Sequence, residues 1–155
     1  MELWGRGEPE GARLRVGAAE VGQGTHHAMR TIAAEALGLD PATIEMVTDD
    51  SREAPNAGSA SASRLTYMAG RAVYDAATEA LSKYRASDDE TVTATVQFRP
   101  TQTTPLAEET GEGIPNYCYG YAAQAVDVEV DTLTGQVRVL RVISVHDVGR
   151  AIDMP

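Results

Sequence analysis

Gly22-Gln23-Gly24 is the tripeptide of this chain best suited to holding a polar ligand. A glycine on either side accepts positive φ and lets a ligand approach the backbone with no Cβ in the way. Gln23 offers a neutral amide that both donates and accepts hydrogen bonds. Thr25-His26-His27 follow at a predicted helix start, whose unpaired N–H groups attract negative charge. Two readings fit this loop: a seat for something polar or anionic, and a plain tight turn from strand to helix. Gly58 to Ser63 repeats the design ahead of a second predicted helix, with hydroxyls on Ser59, Ser61 and Ser63. Its plain reading is an N-cap at Ser61 or Ser63. If both helices lie side by side on one face, their starts converge, and two helix dipoles form a cradle for a polyanion without any lysine.

The remaining reactive residues suggest less chemistry. His26 and His27 are adjacent, so on a helix they point about 100° apart and do not grip one metal. His146 beside Asp147 could serve a metal or an acid–base step, but reads more simply as a partly buried histidine with a local hydrogen bond. Asp49, Asp50, Glu53, Glu108, Glu109 and Glu112 read as solvated loop charges. Cys118 stands between tyrosines and reads as packed, and Tyr117, Tyr119 and Tyr121 alternate as core or interface positions. There is neither a phosphate-binding P-loop nor a serine in a nucleophile elbow.

The elements that must position these loops follow from periodicity. Glu2 to Gly5 and Ala12 to Ala19 read as strands around a turn at Gly7-Glu8-Pro9-Glu10-Gly11; Leu14 and Val16 alternate with Arg13 and Arg15, the mark of one wet face. Met29, Ile32, Ala33, Ala36 and Leu37 predict a helix from Thr25 to Leu37, capped by Thr25 and closed at Gly38. Ile44 to Thr48 reads as a short strand. Leu65, Met68, Ala69, Ala72, Val73, Ala76, Ala77, Ala80, Leu81 and Tyr84 predict a long helix with one buried face, its alanines suited to close packing on a sheet. Thr91 to Phe98 reads as a strand, Pro100 to Tyr117 as a long loop of the kind that binds or docks, and Gly120 to Val130 with Gln136 to Val145 as a hairpin turned at Gly135. The expected fold is a two-layer α+β domain over residues 1–155: a mixed sheet, two main helices on one face, and a C-terminal β-hairpin.

The 155 residues suffice for one ordinary domain with a real core. Lys and Arg number 13 against 23 Asp and Glu, a formal charge of −10 that argues against nucleic acid or anionic lipid as partner. Cys118 is the only cysteine, which rules out a disulfide framework and fits a reducing, cytoplasmic setting. No run approaches the roughly 18 apolar residues of a membrane span, and Met1 to Glu10 is unlike a signal peptide.

Taken together, these residues resemble the large, molybdenum-binding subunit of the xanthine dehydrogenase and aldehyde oxidase family. Ala19-Glu20-Val21-Gly22-Gln23-Gly24-Thr25-His26 is similar to the family's glutamine-glycine cofactor loop. Pro55 to Arg64 resembles its second small-residue loop, followed by Met68-Ala69-Gly70-Arg71-Ala72-Val73. Tyr119 to Asp131 with Thr134-Gly135 looks like the family's late hairpin, and Val145 to Ile152 like the segment after it. The resemblance implies molybdopterin as cofactor, plain or in a dinucleotide form, with FAD and 2Fe-2S clusters on other domains or subunits. It implies hydroxylation of a heterocycle or aldehyde with oxygen from water. The cofactor-binding residues it assigns are Gly22, Gln23, Gly24, Ser61, Ala62 and Ser63.

The family's large subunit is several times longer, and its general-base glutamate would fall beyond Pro155; Gly111-Glu112-Gly113 stands in the wrong part of the order. The chain is therefore expected to be an excised or split piece, inactive alone, whose partners are the rest of the molybdenum-binding subunit and the iron–sulfur and flavin parts. Two alternatives stay open: a stand-alone cofactor-binding or assembly module of the same fold, and an unrelated anion-binding α+β module.

Overall fold

Alternation of apolar and charged residues places Leu3, Ala12, Leu14, Ile44 and Val92 on one face of a four-stranded sheet, where all are buried. The structure is a computed structural model, described over residues 1–153. Its strands are β1 (Glu2–Arg6), β2 (Glu8–Arg15), β3 (Ile44–Val47) and β4 (Thr91–Thr93), in the order β3-β2-β1-β4. β2 and β3 run parallel and the other pairs antiparallel, so the sheet is mixed. The opposite face is wet and laced with ion pairs: Glu2 with Arg15 at 2.7 Å, and Arg13 with Glu45 at 2.8 Å.

Two helices cover the dry face. α1 (Thr25–Leu37) buries Met29, Ala33, Ala34 and Leu37, and α2 (Arg64–Ala86) buries Leu65, Ala69, Val73, Ala76, Ala77, Ala80 and Tyr84. Both stripes follow the three-and-four spacing that keeps side chains on one side of a helix. The helices pack directly on each other. A Cβ on Gly70 would stand 2.8 Å from Ile32 Cδ1, so a larger residue there would make the end of the Ile32 side chain shift. Leu3 and Met29 are the largest fully buried side chains, each worth roughly 1.5–3 kcal/mol in apolar burial. The parallel pairing of β2 with β3 requires the chain to cross over, and α1 is that crossover. This places the start of α1 directly after β2.

The expected α+β architecture holds, with shifted strand limits. β2 begins at Glu8 and ends at Arg15, and the turn shrinks to Gly7. The reason is a bulge between Trp4 and Gly5 that seats Pro9 opposite Gly5, where a missing N–H is tolerated. β4 covers only Thr91–Thr93, not Thr91 to Phe98, because its partner β1 runs out: Thr93 pairs with Glu2, and Ala94 N–H then reaches the Met1 carbonyl.

The described residues divide into two compact units, residues 1–100 with 152–153, and Thr101–Ala151. The second unit holds the hairpin β5 (Tyr121–Val130) and β6 (Val137–Asp147). Its turn is tied by Asp131, whose Oδ1 accepts the Leu133 and Thr134 N–H groups at 2.8 and 3.2 Å. One face of the hairpin carries the cross-strand pairs Val126–Val142, Val128–Val139 and Val130–Val137; the other carries the ion pairs Asp127–Arg141 and Glu129–Arg138. The valines remain about half exposed. The loop from Pro100 closes on itself through Thr104 N–H to Ile114 O and Ala107 N–H to Glu112 O, both 2.8 Å. Cys118 and His146, expected to be packed and partly buried, are exposed. Tyr117, Tyr119 and Tyr121 are exposed as well, and the first two lie outside the strand. Each stands in a loop or in the two-stranded ribbon, outside the sheet–helix core.

Candidate functional site

The two loops singled out in the sequence line one cleft. Gln23, Gly24 and Thr25 come from the start of α1, and Ala60 to Thr66 from the start of α2, around a cavity of about 330 Å³. Val21 and Ala28 complete the first side. Of the six predicted cofactor-binding residues, Gln23, Gly24, Ser61, Ala62 and Ser63 are in the lining, while Gly22 shapes the loop just outside it. A second hollow of the same size runs along one face of α2, from Thr78 to Ala86, and gathers no loop.

A short parallel bridge between Gly17 and Asn56 brings the loops together. Gly17 N–H donates to Pro55 O at 2.7 Å, and Ala57 N–H donates to Gly17 O at 3.2 Å. A Cβ on Gly17 would lie 3.0 Å from that Pro55 oxygen. The segment that leaves β2 is thus pinned to the segment that leads to α2.

Gln23 is held on every side of its amide. Oε1 accepts the Val21 N–H at 2.7 Å, and Nε2 donates to Ala19 O at 2.9 Å and to Thr25 Oγ1 at 2.8 Å. Thr25, expected to cap α1, is instead the first residue of the helix and is buried. Gly24 is the cap, in left-handed conformation at φ 79°, and a side-chain cap is lacking because the oxygen comes from elsewhere. Glu20 supplies it. Its carboxylate accepts the N–H groups of Gly22 (2.8 Å), Gly24 (3.0 Å) and His26 (3.1 Å). These bonds, led by that from His26, hold the Glu20 carboxyl below the usual carboxylate range. His26 Nε2 lies 2.8 Å from Ala18 O, an arrangement in which the ring donates to the carbonyl. The His26 amide in the first turn of α1 and the Gly22 and Gly24 amides ahead of it are thus engaged by one carboxylate of the chain.

The second loop is built differently. Ala62 and Ser63 both have left-handed φ, 49° and 53°, without being glycines. Two consecutive residues of that kind store strain that surrounding bonds must hold. The bonds come from Arg64, whose Nη1 donates to Ala57 O and Ser59 O, both at 3.1 Å. Asn56 Oδ1 accepts the Gly58 N–H at 2.8 Å, and the Ser59 and Ser61 hydroxyls meet at 3.1 Å. Ser63 occupies the N-cap position of α2 without a side-chain cap bond, which separates it from an ordinary capping serine. No acidic residue lies in the first turn of α2.

The family described as molybdopterin cofactor-binding domain matches residues 7–98 and 83–154, nearly the whole chain. The chain belongs to the molybdopterin cofactor-binding domain family. Within that family it is 29% identical over 157 residues to the xanthine dehydrogenase/oxidase of Felis catus, covering 90% of this chain and 12% of that protein. It is 30% identical over 177 residues to a probable xanthine dehydrogenase subunit of Bacillus subtilis (strain 168), covering 88% of this chain and 24% of that one. Among solved structures, the aldehyde oxidoreductase from Desulfovibrio gigas shares the fold with a TM-score of 0.75 at 24% identity, over 98% of this chain and 18% of that one. This molybdopterin-binding chain thus spans only 12% and 24% of the lengths of the two relatives it matches in sequence.

Three residues that hold the two loops have roles that their types alone did not disclose: Arg64, in the cleft lining, and Glu20 and Asn56, outside it. Glu20 had a signal in the sequence, a carboxylate five residues ahead of a helix start, which is where a helix dipole favours negative charge. Arg64 did not, because a guanidinium at a helix start opposes that dipole. The His146–Asp147 pair is engaged locally: His146 Nε2 meets Ser144 Oγ at 2.7 Å and Asp147 Oδ1 accepts the Gly149 N–H. Among the described residues no helix is long and apolar enough to cross a membrane.

Proposed function

We propose that this chain helps hold molybdopterin in a molybdenum hydroxylase of the xanthine dehydrogenase and aldehyde oxidase type. Gln23, with Gly22 and Gly24 shaping its loop, would face the cofactor from α1; Ser61, Ala62 and Ser63 would face it from α2. One observation carries this reading: both loops line a single cleft. The lining suits a polar, anionic cofactor, with serine hydroxyls and an α2 start free of acidic residues. When bound, molybdopterin supplies the redox chemistry by which such enzymes add a water-derived oxygen to a heterocycle or aldehyde. This chain's part is to bind and orient, since small side chains let the cofactor approach the backbone and Arg64 stiffens the second loop.

A cavity of about 330 Å³ lies at the small end of ligand sites, so the cofactor would be shared with further segments. The half-exposed valine face of the hairpin supports the same view, because a two-stranded ribbon is marginal on its own. The proposed partners are the rest of a molybdenum-binding subunit and iron–sulfur and flavin domains or subunits. On this reading the isolated chain does not turn over substrate. The test is metal and pterin analysis of the chain purified with those partners from a cofactor-producing host. Molybdenum that copurifies with wild type and falls at least tenfold in Gln23→Ala supports the reading; equal metal in both counts against it.

A further inference from the structure

We propose that Glu20 is a positioning residue, an internal anion that closes the Gly22, Gly24 and His26 amides to an anionic ligand and thereby fixes the loop that carries Gln23. What Gln23 faces rests on the proposed function, but the physical core of the inference concerns this chain alone. Oε1 of Glu20 takes the Gly22 and Gly24 N–H groups, and Oε2 takes that of His26. The Val21 N–H goes to Gln23 itself. The three donors that converge on the Glu20 carboxylate are therefore spent, as is the Val21 N–H, and the chain is locked on both sides of Gln23. An anionic ligand group would have to displace a carboxylate tethered to the same loop, whose effective concentration far exceeds that of a free competitor. The α2 start lacks any such carboxylate in its first turn. The cleft is consequently asymmetric: amides closed by a carboxylate on one side, and on the other a helix start with Arg64 and no acidic residue in its first turn.

Amide NMR of the 155-residue chain, with inorganic phosphate as the probe, tests this. In wild type, the Gly22, Gly24 and His26 amides should titrate together with a midpoint below that of an ordinary glutamate. In Glu20→Gln this titration should vanish, while any contribution from the neighbouring His26 ring persists. In Glu20→Ala the three amides should exchange with solvent at least tenfold faster, and millimolar phosphate should shift them, which it should not do in wild type. Glu20→Asp, with a shorter reach, should retain only part of the titration. The proposal is overturned if the wild-type amides ignore the Glu20 titration, or if phosphate shifts them equally with the carboxylate present. Glu20→Gln preserves side-chain size, so it decides the matter even if Glu20→Ala fails to fold. Metal content separates the two readings. Amides that behave as stated while molybdenum is indifferent to Gln23→Ala would uphold the clamp and defeat the cofactor assignment.

Discussion

Gln23 and Thr25 are joined side chain to side chain, with Nε2 donating to Oγ1 at 2.8 Å, and the receiving hydroxyl belongs to a residue that is 5% exposed. The bond anchors an exposed loop to the core of the sheet–helix unit. Thr25→Val keeps the shape of the side chain and removes the acceptor. Loss of one such bond should lower stability by about 0.5–1.5 kcal/mol, measured by urea denaturation, and should broaden the Gln23 side-chain amide resonances. Unchanged stability and sharp resonances would mean that the anchor lies elsewhere.

Ala62 holds a backbone conformation that suits glycine. Ala62→Gly should relieve strain and raise stability by up to about 1 kcal/mol, the left-handed penalty of a non-glycine residue less the added freedom of the unfolded chain. Cofactor retention should fall in the same variant, because the strained loop is what holds Ser61 and Ser63 in place. Thermal melting and pterin analysis on one preparation check both halves.

Gly5 lies at the bulge between β1 and β2, where an added Cβ would collide with the Glu8 carbonyl oxygen. Backbone cannot step aside as a side chain can. Gly5→Ala should therefore cost more than the roughly 1–3 kcal/mol of ordinary overpacking. Met29→Ala, which empties a fully buried site, should cost about 2–5 kcal/mol. Denaturation midpoints would rank the two.

Asp131 is the pH-sensitive point of the hairpin. Hydrogen bonds from the Leu133 and Thr134 amides hold its carboxyl below the usual aspartate range. A folded-state pKa below the unfolded value of about 3.9 means that the turn's stabilisation is fully present above that pH and is lost as pH falls through the folded value. The Leu133 and Thr134 amide shifts should move together over that acidic window and stay flat above it. Asp131→Asn keeps an acceptor oxygen and should abolish the pH dependence while leaving the hairpin formed.

Much of this molecule was legible in its sequence because its patterns are local. The limits of α1 follow from Met29, Ala33 and Leu37 with Gly38 behind them, and the wet and dry faces of β2 from Arg13 and Arg15 against Leu14. The convergence of Gln23 and Ser61 on one cleft also followed, since two helices on one sheet face bring their starts to one edge. What depended on contacts between distant residues did not. The bulge at Gly5 moved the β2 start, the end of β1 shortened β4, and the Gly17–Asn56 bridge has no periodic signature. The engagement of the Gly22, Gly24 and His26 amides by Glu20 left only one cue, a carboxylate ahead of a helix start, because its reach over six residues has no periodic signature.

If the Gln23 and Ser61 loops are the two walls of one molybdopterin seat, filling the cleft must expel the cofactor. The most direct measurement is the pterin and molybdenum content of Ser61→Trp, which fills the cleft, beside Ser82→Trp on an exposed part of α2 well along the helix from the cleft. Both variants are purified with the partner segments from a cofactor-producing host. At least a tenfold loss of both is predicted in Ser61→Trp, with wild-type levels in Ser82→Trp. Full cofactor in a folded Ser61→Trp protein would contradict the shared seat.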